Sequence, residues 1–593
     1  MSEPSRPAAL ALLAASFAAL AAWSWGKWTD PLIDFGFELY VPWRLTEGEV
    51  LYRDIAYRNG PLSSYWNAAL FGLFGSSIRT LIVANLAILA GISALLFHLL
   101  ESSVSRRGAG VGTVVFLATC AFSQYGTVGN YNFVTPYQHG QTHGLLLGLI
   151  AVALLARARR PRGWAAAGLA LGTLALTKAE VFVPGALAAA VALLLTRRTD
   201  SGVGITGPAL VALAVGATLP PLIAGLLLSL SMSPGLALHG VLGNWPYLAE
   251  AILSDPFYAK TAGLDAPGTA MAAALAAITS LVGFGWILRR CDAGEPGTAP
   301  PPRRATLASF AAVVTGAGLG VAFDLPWADL ARALPFGVLA VLGTSAPAAL
   351  AGDPAARMRT LLGVFALGSL AKLGLHPQIQ HYGFALAAPA LALCTALAVG
   401  RWRGLLAGSL ALAGAAAFSG ALLADSNAIY RSKTYPLGTG GDAIVVAGPE
   451  TSPRGVLIER LLRGFDAIAP PDATLLVMPE GAGLNYWLRR RNPTPYSLFL
   501  PTELAAHGGA ERLLERMRQD PPDYVALVHR GHREFGTGPF LEDPRNGAAF
   551  LGWLRESYSP VQLLGAEPFQ DPAFGIRLLR RTTAADSVSN PAN

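Results

Sequence analysis

Long apolar runs broken by short polar punctuation fill the first 424 positions of the chain. A helix that crosses ~30 Å of hydrocarbon needs roughly 20 such residues, because an unpaired backbone amide in lipid has no water to bond. By that measure the pattern predicts about thirteen transmembrane helices, near residues 8–25, 79–100, 110–123, 141–156, 164–177, 181–195, 206–230, 269–288, 305–323, 334–350, 360–376, 383–400 and 405–424. Beyond Ala424 the pattern changes to strands and helices in alternation. Ala443 to Val446, Thr474 to Met478, Tyr524 to Val528, Val561 to Leu564 and Gly575 to Leu579 read as buried strands. Arg454 to Ile468, Ala510 to Arg518 and Ala548 to Tyr558 carry helical spacing between them. The fold class is therefore a mainly α polytopic membrane protein, residues 1–424, followed by a small α/β layer domain, residues 425–593.

Composition supports this division. Of 593 residues 53% are hydrophobic and only 14% charged, against roughly 25% charged in soluble proteins. The net charge of +7 does not point to nucleic acid, because the arginines sit in short clusters between apolar runs. They are Arg106 and Arg107; Arg157, Arg159, Arg160 and Arg162; Arg197 and Arg198; Arg289 and Arg290; Arg303 and Arg304; Arg357 and Arg359; Arg401 and Arg403. Each cluster falls on every second connection, so the positive-inside rule places these loops and the amino terminus in the cytoplasm. An odd number of spans then puts the carboxy-terminal domain outside. For the first span an Ala19-Leu20-Ala21 site offers a cleavable signal peptide as the alternative. Three cysteines, none after Cys394, imply no disulfide framework.

Two connections exceed simple turns, the first external loop, 26–77, and the one between about 231 and 268. The Gly/Pro-rich Asp292 to Pro302 reads as a cytoplasmic linker. In the first loop Asp34 and Glu38 stand four apart, which on a helix from Asp34 to Arg44 would stack two carboxylates one turn apart and raise the pKa of one. Tyr57 and Asn59 follow, and the run from Arg58 to Leu62 opens a short apolar helix ending near Gly75, suited to lie along the interface. Lys178 and Glu180 mark the tip of a hairpin of two short spans, at a depth where a charge costs at least ~2.5 kcal/mol and is usually functional or paired. The second external loop supplies Tyr131, Asn132, His139 and His143; the two histidines are spaced i, i+4 without an acidic partner, so hydrogen bonding to hydroxyls or phosphate fits them better than zinc. Lys372, His376, Gln378, Gln380, His381 and Tyr382 form a further polar cluster near the outer end of the eleventh and twelfth spans. In the tail, Gly481-Ala482-Gly483 follows a strand but lacks the third glycine of a dinucleotide fingerprint.

The first loop with Asp34 and Glu38, the phrase from Tyr52 to Trp66, the hairpin phrase Leu176-Thr177-Lys178-Ala179-Glu180 and a many-span body ending in an external domain resemble the GT-C glycosyltransferases. Within that superfamily they are most similar to bacterial relatives of protein O-mannosyltransferases and the aminoarabinose transferase of lipid A. The resemblance implies transfer of a hexose or pentose, with inversion, from a polyprenyl-phosphate donor to a glycan, lipid or protein acceptor. It places the chain in the bacterial inner membrane, with its active face and tail domain extracytoplasmic. Asp34 best matches the family's acidic residue; the mannosyltransferase pattern sets Asp and Glu adjacent, whereas Phe35 follows Asp34 here and the glutamate is Glu38. The reading assigns Asp34 and Glu38 to catalysis and Lys178, His381 and Tyr382 to the donor phosphate. Glu180, Tyr131, Asn132, His139, His143, Tyr57 and Asn59 would face sugar or acceptor. No cofactor is required by it; a divalent cation, Mg2+ or Mn2+, stays open, with ligands unknown. The competing class is a transporter or flippase of lipid-linked saccharide, for which inverted repeats would be expected and none is visible.

Overall fold

The computed structural model describes residues 3–129, 131–197, 207–243, 256–293, 301–402 and 404–582. Arg198, Arg403, the middle of the connection between about 231 and 268 and most of the Asp292 to Pro302 linker lie outside the described residues. A helix stands at each of the thirteen expected spans. Among the described residues nine helices are long and apolar enough to cross a membrane, running from Arg6–Ser24 to Leu405–Ser432. The chain is an integral membrane protein, mostly helical, with a carboxy-terminal α/β region. Two helices depart from their expected limits. Asp353 caps the first turn of Pro354–Leu370, its carboxylate accepting from the Ala355 N–H at 2.9 Å, so that helix starts before Arg357 and not after it. The last membrane helix runs on to Ser432, where the buried Tyr430 hydroxyl donates to the Phe122 carbonyl at 2.6 Å.

Helices approach closely where glycine removes the side chain between them. A Cβ on Gly168 would lie 2.3 Å from the Leu213 carbonyl oxygen, and one on Gly172 2.4 Å from that of Ala217. Helices Pro161–Ala175 and Gly207–Ser229 therefore pack backbone against backbone through a small-xxx-small seam, the usual way to gain contact where lipid is as apolar as leucine. Several arginines meet on one side of the bundle. The buried Arg357 guanidinium donates to the Leu155 and Ala156 carbonyls, to that of Ala192 and to the Thr196 hydroxyl, which satisfies the carboxy-terminal ends of two helices at once. Arg107 does the same for Val399 and Trp402, and Arg359 for Ser103.

The first loop folds into helix Phe35–Thr46 and helix Leu62–Phe74. The second is the expected short apolar helix, and it leaves Leu73 and Phe74 more than 70% exposed, as an element lying at a lipid interface would. In the tail, β1 (Lys433–Leu437) and β2 (Ile444–Ala447) make an antiparallel pair. β3 (Leu475–Met478), β4 (Tyr524–Val528), β5 (Tyr558–Gly565) and β6 (Gly575–Arg581) form a sheet in the order β3-β4-β6-β5, with only β3 and β4 parallel. Strand alternation sends Leu476, Met478, Val525 and Leu527 to a core with Leu513, Phe550 and Trp553. Leu475, Val477, Ala526 and Val528 face the other way, into the core they share with the membrane helices and the first loop. Helix Ala482–Leu488, which follows β3, packs on Phe35–Thr46 and makes that junction.

Gly172→Val places a branched side chain where backbone already stands. Overpacking of this kind costs about 1–3 kcal/mol, so the variant should melt at a lower temperature in detergent than the parent; an unchanged melting curve would mean that the two helices do not touch at this seam.

Candidate active site

Loops at one end of the membrane helices and the tail line a cleft with about 1240 Å³ of atom-free space, the part open to solvent included. Asp34, Glu38, Tyr57, Asn59, Tyr131, Lys178, Glu180 and Tyr382 all line it, so most of the side chains singled out in the sequence converge although they are scattered between positions 34 and 382.

Asp34 is the residue before helix Phe35–Thr46 and not part of it, with φ 57° and ψ −85°. A non-glycine backbone in this region costs on the order of 1–3 kcal/mol and persists only where its surroundings over-determine it. Its carbonyl accepts from the Phe37 N–H at 3.0 Å, and its backbone lies beside the Glu480 carboxylate of the tail. A Cβ on Gly129 would come within 3.4 Å of the Asp34 Oδ2, which puts the carboxylate beside the loop that precedes helix His139–Arg157. Glu38 is engaged differently. Its Oε2 accepts from the His139 ring Nδ1 at 2.6 Å and from the His139 backbone N–H at 3.0 Å. The His139 Nε2 in turn accepts from Asn85 at 3.0 Å. Glu38 is thus held to helix His139–Arg157 rather than standing as the free half of a stacked carboxylate pair.

At the hairpin tip the Lys178 ammonium lies 3.0 Å from the Glu180 Oε2 and donates to the Tyr137 hydroxyl at 2.8 Å. Lys372 pairs with the other oxygen of Glu180, and Gln141 donates to Oε2 at 3.1 Å. One carboxylate therefore serves two ammonium groups, which leaves this triad one positive charge in excess. Lys372 also sits 4.0 Å from the Tyr382 ring centroid. Beside this triad Tyr131, Tyr137, His381 and Tyr382 form an aromatic wall: Tyr131 stacks on His381 at 4.4 Å, and Tyr137 meets Tyr382 edge-on at 5.3 Å. Phe257, from the long connection after residue 231, touches the His381 ring at 6.2 Å and Phe535 of the tail at 5.4 Å. His381 stands behind Tyr131, and its buried Nδ1 has no hydrogen-bond partner among the described residues. Burial, with Lys372 and His376 nearby, pushes its imidazole down to about 4.

Asn132, His139 and His143 lie behind the cleft wall. Asn132 Oδ1 accepts from the Val134 and Thr135 N–H groups and shapes the loop. His143 Nδ1 meets the Ser63 hydroxyl at 3.0 Å. His139 has both ring nitrogens occupied by Glu38 and Asn85, so the i, i+4 histidine pair is not arranged to share an ion. Among the described residues no three His, Cys, Asp or Glu side chains converge as a metal cluster would. The cleft's acidic groups fit a divalent cation poorly, since Glu480 and Glu534 are already spent on Arg530 at 3.0 and 2.5 Å.

The tail wall escaped the sequence reading. Glu480, Arg530, Glu534, Tyr496, Glu503 and His507 line the cleft from the tail side, and Glu503 pairs with Arg58 across it. Lys372 was visible as part of a polar cluster, and the depth argument used for Lys178 applies to it equally.

No family model matches the chain, and no curated protein matches it significantly. Among solved structures, ArnT from Cupriavidus metallidurans bound to undecaprenyl phosphate is 13% identical over 98% of this chain and 99% of that one, with a TM-score of 0.49. The oligosaccharyltransferase of Archaeoglobus fulgidus tethered with an acceptor peptide is 12% identical over 96% and 74%, with a TM-score of 0.46. The archaeal oligosaccharyltransferase AglB in complex with an inhibitory peptide and a dolichol-phosphate is 12% identical over 99% and 75%, at 0.42.

The His381 shift has a consequence for stability. Its imidazole takes a proton near 6.5 when unfolded and only near 4 in the fold, so between those values the unfolded chain binds the extra proton and stability falls as the pH is lowered. His381→Phe keeps the ring against Tyr131 without the titration. Its melting temperature should drop less than the parent's between pH 7 and pH 5; an equal drop would place the acid sensitivity elsewhere.

Proposed function

We propose that the chain is a membrane glycosyltransferase that moves a sugar, with inversion, from a polyprenyl-phosphate donor to an acceptor hydroxyl. It would work in the bacterial inner membrane with its cleft and tail on the extracytoplasmic side. The observation that carries the reading is the convergence of Asp34 with the Lys178, Glu180 and Lys372 triad on one cleft beside the membrane helices. An isoprenoid tail stays in lipid and its phosphate stays at the interface, so such a donor calls for a base and fixed cations at that level rather than in a soluble pocket. The tail wall and first loop leave room for an acceptor glycan, lipid or protein on the opposite side.

In this mechanism Asp34 takes the proton of the acceptor hydroxyl as its oxygen attacks the anomeric carbon. The bond between that carbon and the phosphate oxygen breaks, and the electron pair leaves on the lipid phosphate. Lys178 and Lys372 stand fixed where that charge develops, and Tyr137, hydrogen-bonded to Lys178, extends the same network. Tyr131 and Tyr382 offer aromatic faces to the sugar ring. Tyr57 and Asn59 line the acceptor side, while Glu38 fixes the helix that begins at His139.

The test uses the full chain in lipid nanodiscs with a panel of undecaprenyl-phosphate hexoses and pentoses, membrane-derived acceptors, and release of free lipid phosphate as the readout. Loss of a general base typically costs 10²–10⁴-fold, so Asp34→Asn should lower release by about 10³-fold while binding of undecaprenyl phosphate is unchanged. Lys178→Met and Lys372→Met should each weaken that binding about tenfold, equivalent to ~1.4 kcal/mol. Undiminished release by the Asp34 variant removes it as the base. Movement of lipid-linked sugar across the bilayer without phosphate release would favour the flippase reading instead.

A further inference from the structure

The tail contributes more than a wall. Asp34 occupies a backbone conformation that aspartate does not hold unaided, and the groups that hold the turn before it come largely from the tail. Asp30, four residues upstream, accepts the Leu32 and Ile33 N–H groups on Oδ1 at 3.0 and 2.8 Å, and the same oxygen receives the Arg454 guanidinium at 3.2 Å. Trp487 Nε1 donates to the Pro31 carbonyl at 3.2 Å. Gly483 lies directly against the turn: a Cβ there would stand 2.0 Å from the Pro31 carbonyl oxygen and 3.1 Å from the Leu32 Cα. A Cβ on Gly36 would stand 2.6 Å from the Gly483 nitrogen, so the Gly483 backbone touches the chain both before and after Asp34. The Gly481-Ala482-Gly483 turn thus packs against the residues that precede and follow Asp34. We propose that this turn, with Glu480, Trp487 and Arg454, is a positioning element by which the tail holds Asp34 in its reactive conformation.

The proposal rests on the reading of Asp34 as the base, and its test can fail separately. Gly483 does not line the cleft, and the lysine triad stands on other elements, so a clamp that loosens should spoil transfer without touching donor binding. A misplacement of about 1 Å can cost 10²-fold in rate. In the full-length Gly483→Ala variant, hydrogen exchange at the Leu32 and Ile33 amides should therefore quicken at least about tenfold and lipid-phosphate release fall about 100-fold. Undecaprenyl phosphate affinity should stay within about threefold of the parent. Parent-like exchange and release overturn the proposal, and so does a parallel loss of lipid-phosphate affinity, which would mark a general distortion. Where Gly483→Ala does not yield folded protein, Trp487→Phe combined with Arg454→Gln removes two of the clamp's hydrogen bonds without adding bulk. That pair should still quicken exchange at residues 31–34 and slow release at least threefold, with Arg454→Lys restoring part of both; no change in either overturns the proposal. An Asp34→Asn variant that keeps full release defeats the reading of the base, whereas the exchange measurement decides the clamp independently.

Discussion

Two ammonium groups share one largely buried carboxylate at one end of the membrane helices, and the rest of the site is arranged around that fact. Charge at this depth is expensive unless paired, and Glu180 pairs Lys178 on one side and Lys372 on the other. The triad ties the hairpin tip to the end of the helix Pro354–Leu370 and its 3-10 extension. It is also unbalanced: two cations to one anion leave the triad itself one positive charge in excess, which suits an anionic group at that spot and would be a poor choice for stability alone. Aromatic rings from two loops face the ammonium groups, Tyr137 at 5.0 Å from that of Lys178 and Tyr382 at 4.0 Å from that of Lys372.

The second constraint is the tail. Its sheet has one face in its own core and one in the core of the membrane bundle, so the tail is built into the junction. Through Glu480, Gly483, Trp487 and Arg454 it reaches the turn before Asp34, and through Arg58 and Glu503 it closes the far side of the cleft. A strained residue survives only when many contacts agree on it, and here those contacts come from segments hundreds of positions apart.

Much of this was legible in the sequence. Apolar run length located thirteen helices because lipid leaves the backbone no alternative, and alternation with turn residues located five of the six tail strands. It missed β1 since Lys433 and Pro436 break the pattern of a buried strand. The Lys178 and Glu180 pair was legible for the same reason as the spans: ions in an apolar setting stand out. What local pattern could not show was partnership. Glu38 and His139 look like two separate polar residues until the fold sets them 2.6 Å apart. Asn132 looks like a binding residue, but its side chain is consumed by its own loop. Glu480, Arg530 and Glu503 look like surface charges of a soluble domain, since nothing in their neighbourhood records that the domain faces a membrane cleft.

The most direct measurement of the central claim is a cryo-electron-microscopy structure of the full chain in nanodiscs with undecaprenyl phosphate bound. The account expects the phosphate density within hydrogen-bond distance of the Lys178 and Lys372 ammonium groups, with the Asp34 carboxylate facing it across a gap wide enough for one sugar ring. Phosphate density bound away from both lysines, or an Asp34 carboxylate opening onto a different surface, would contradict it.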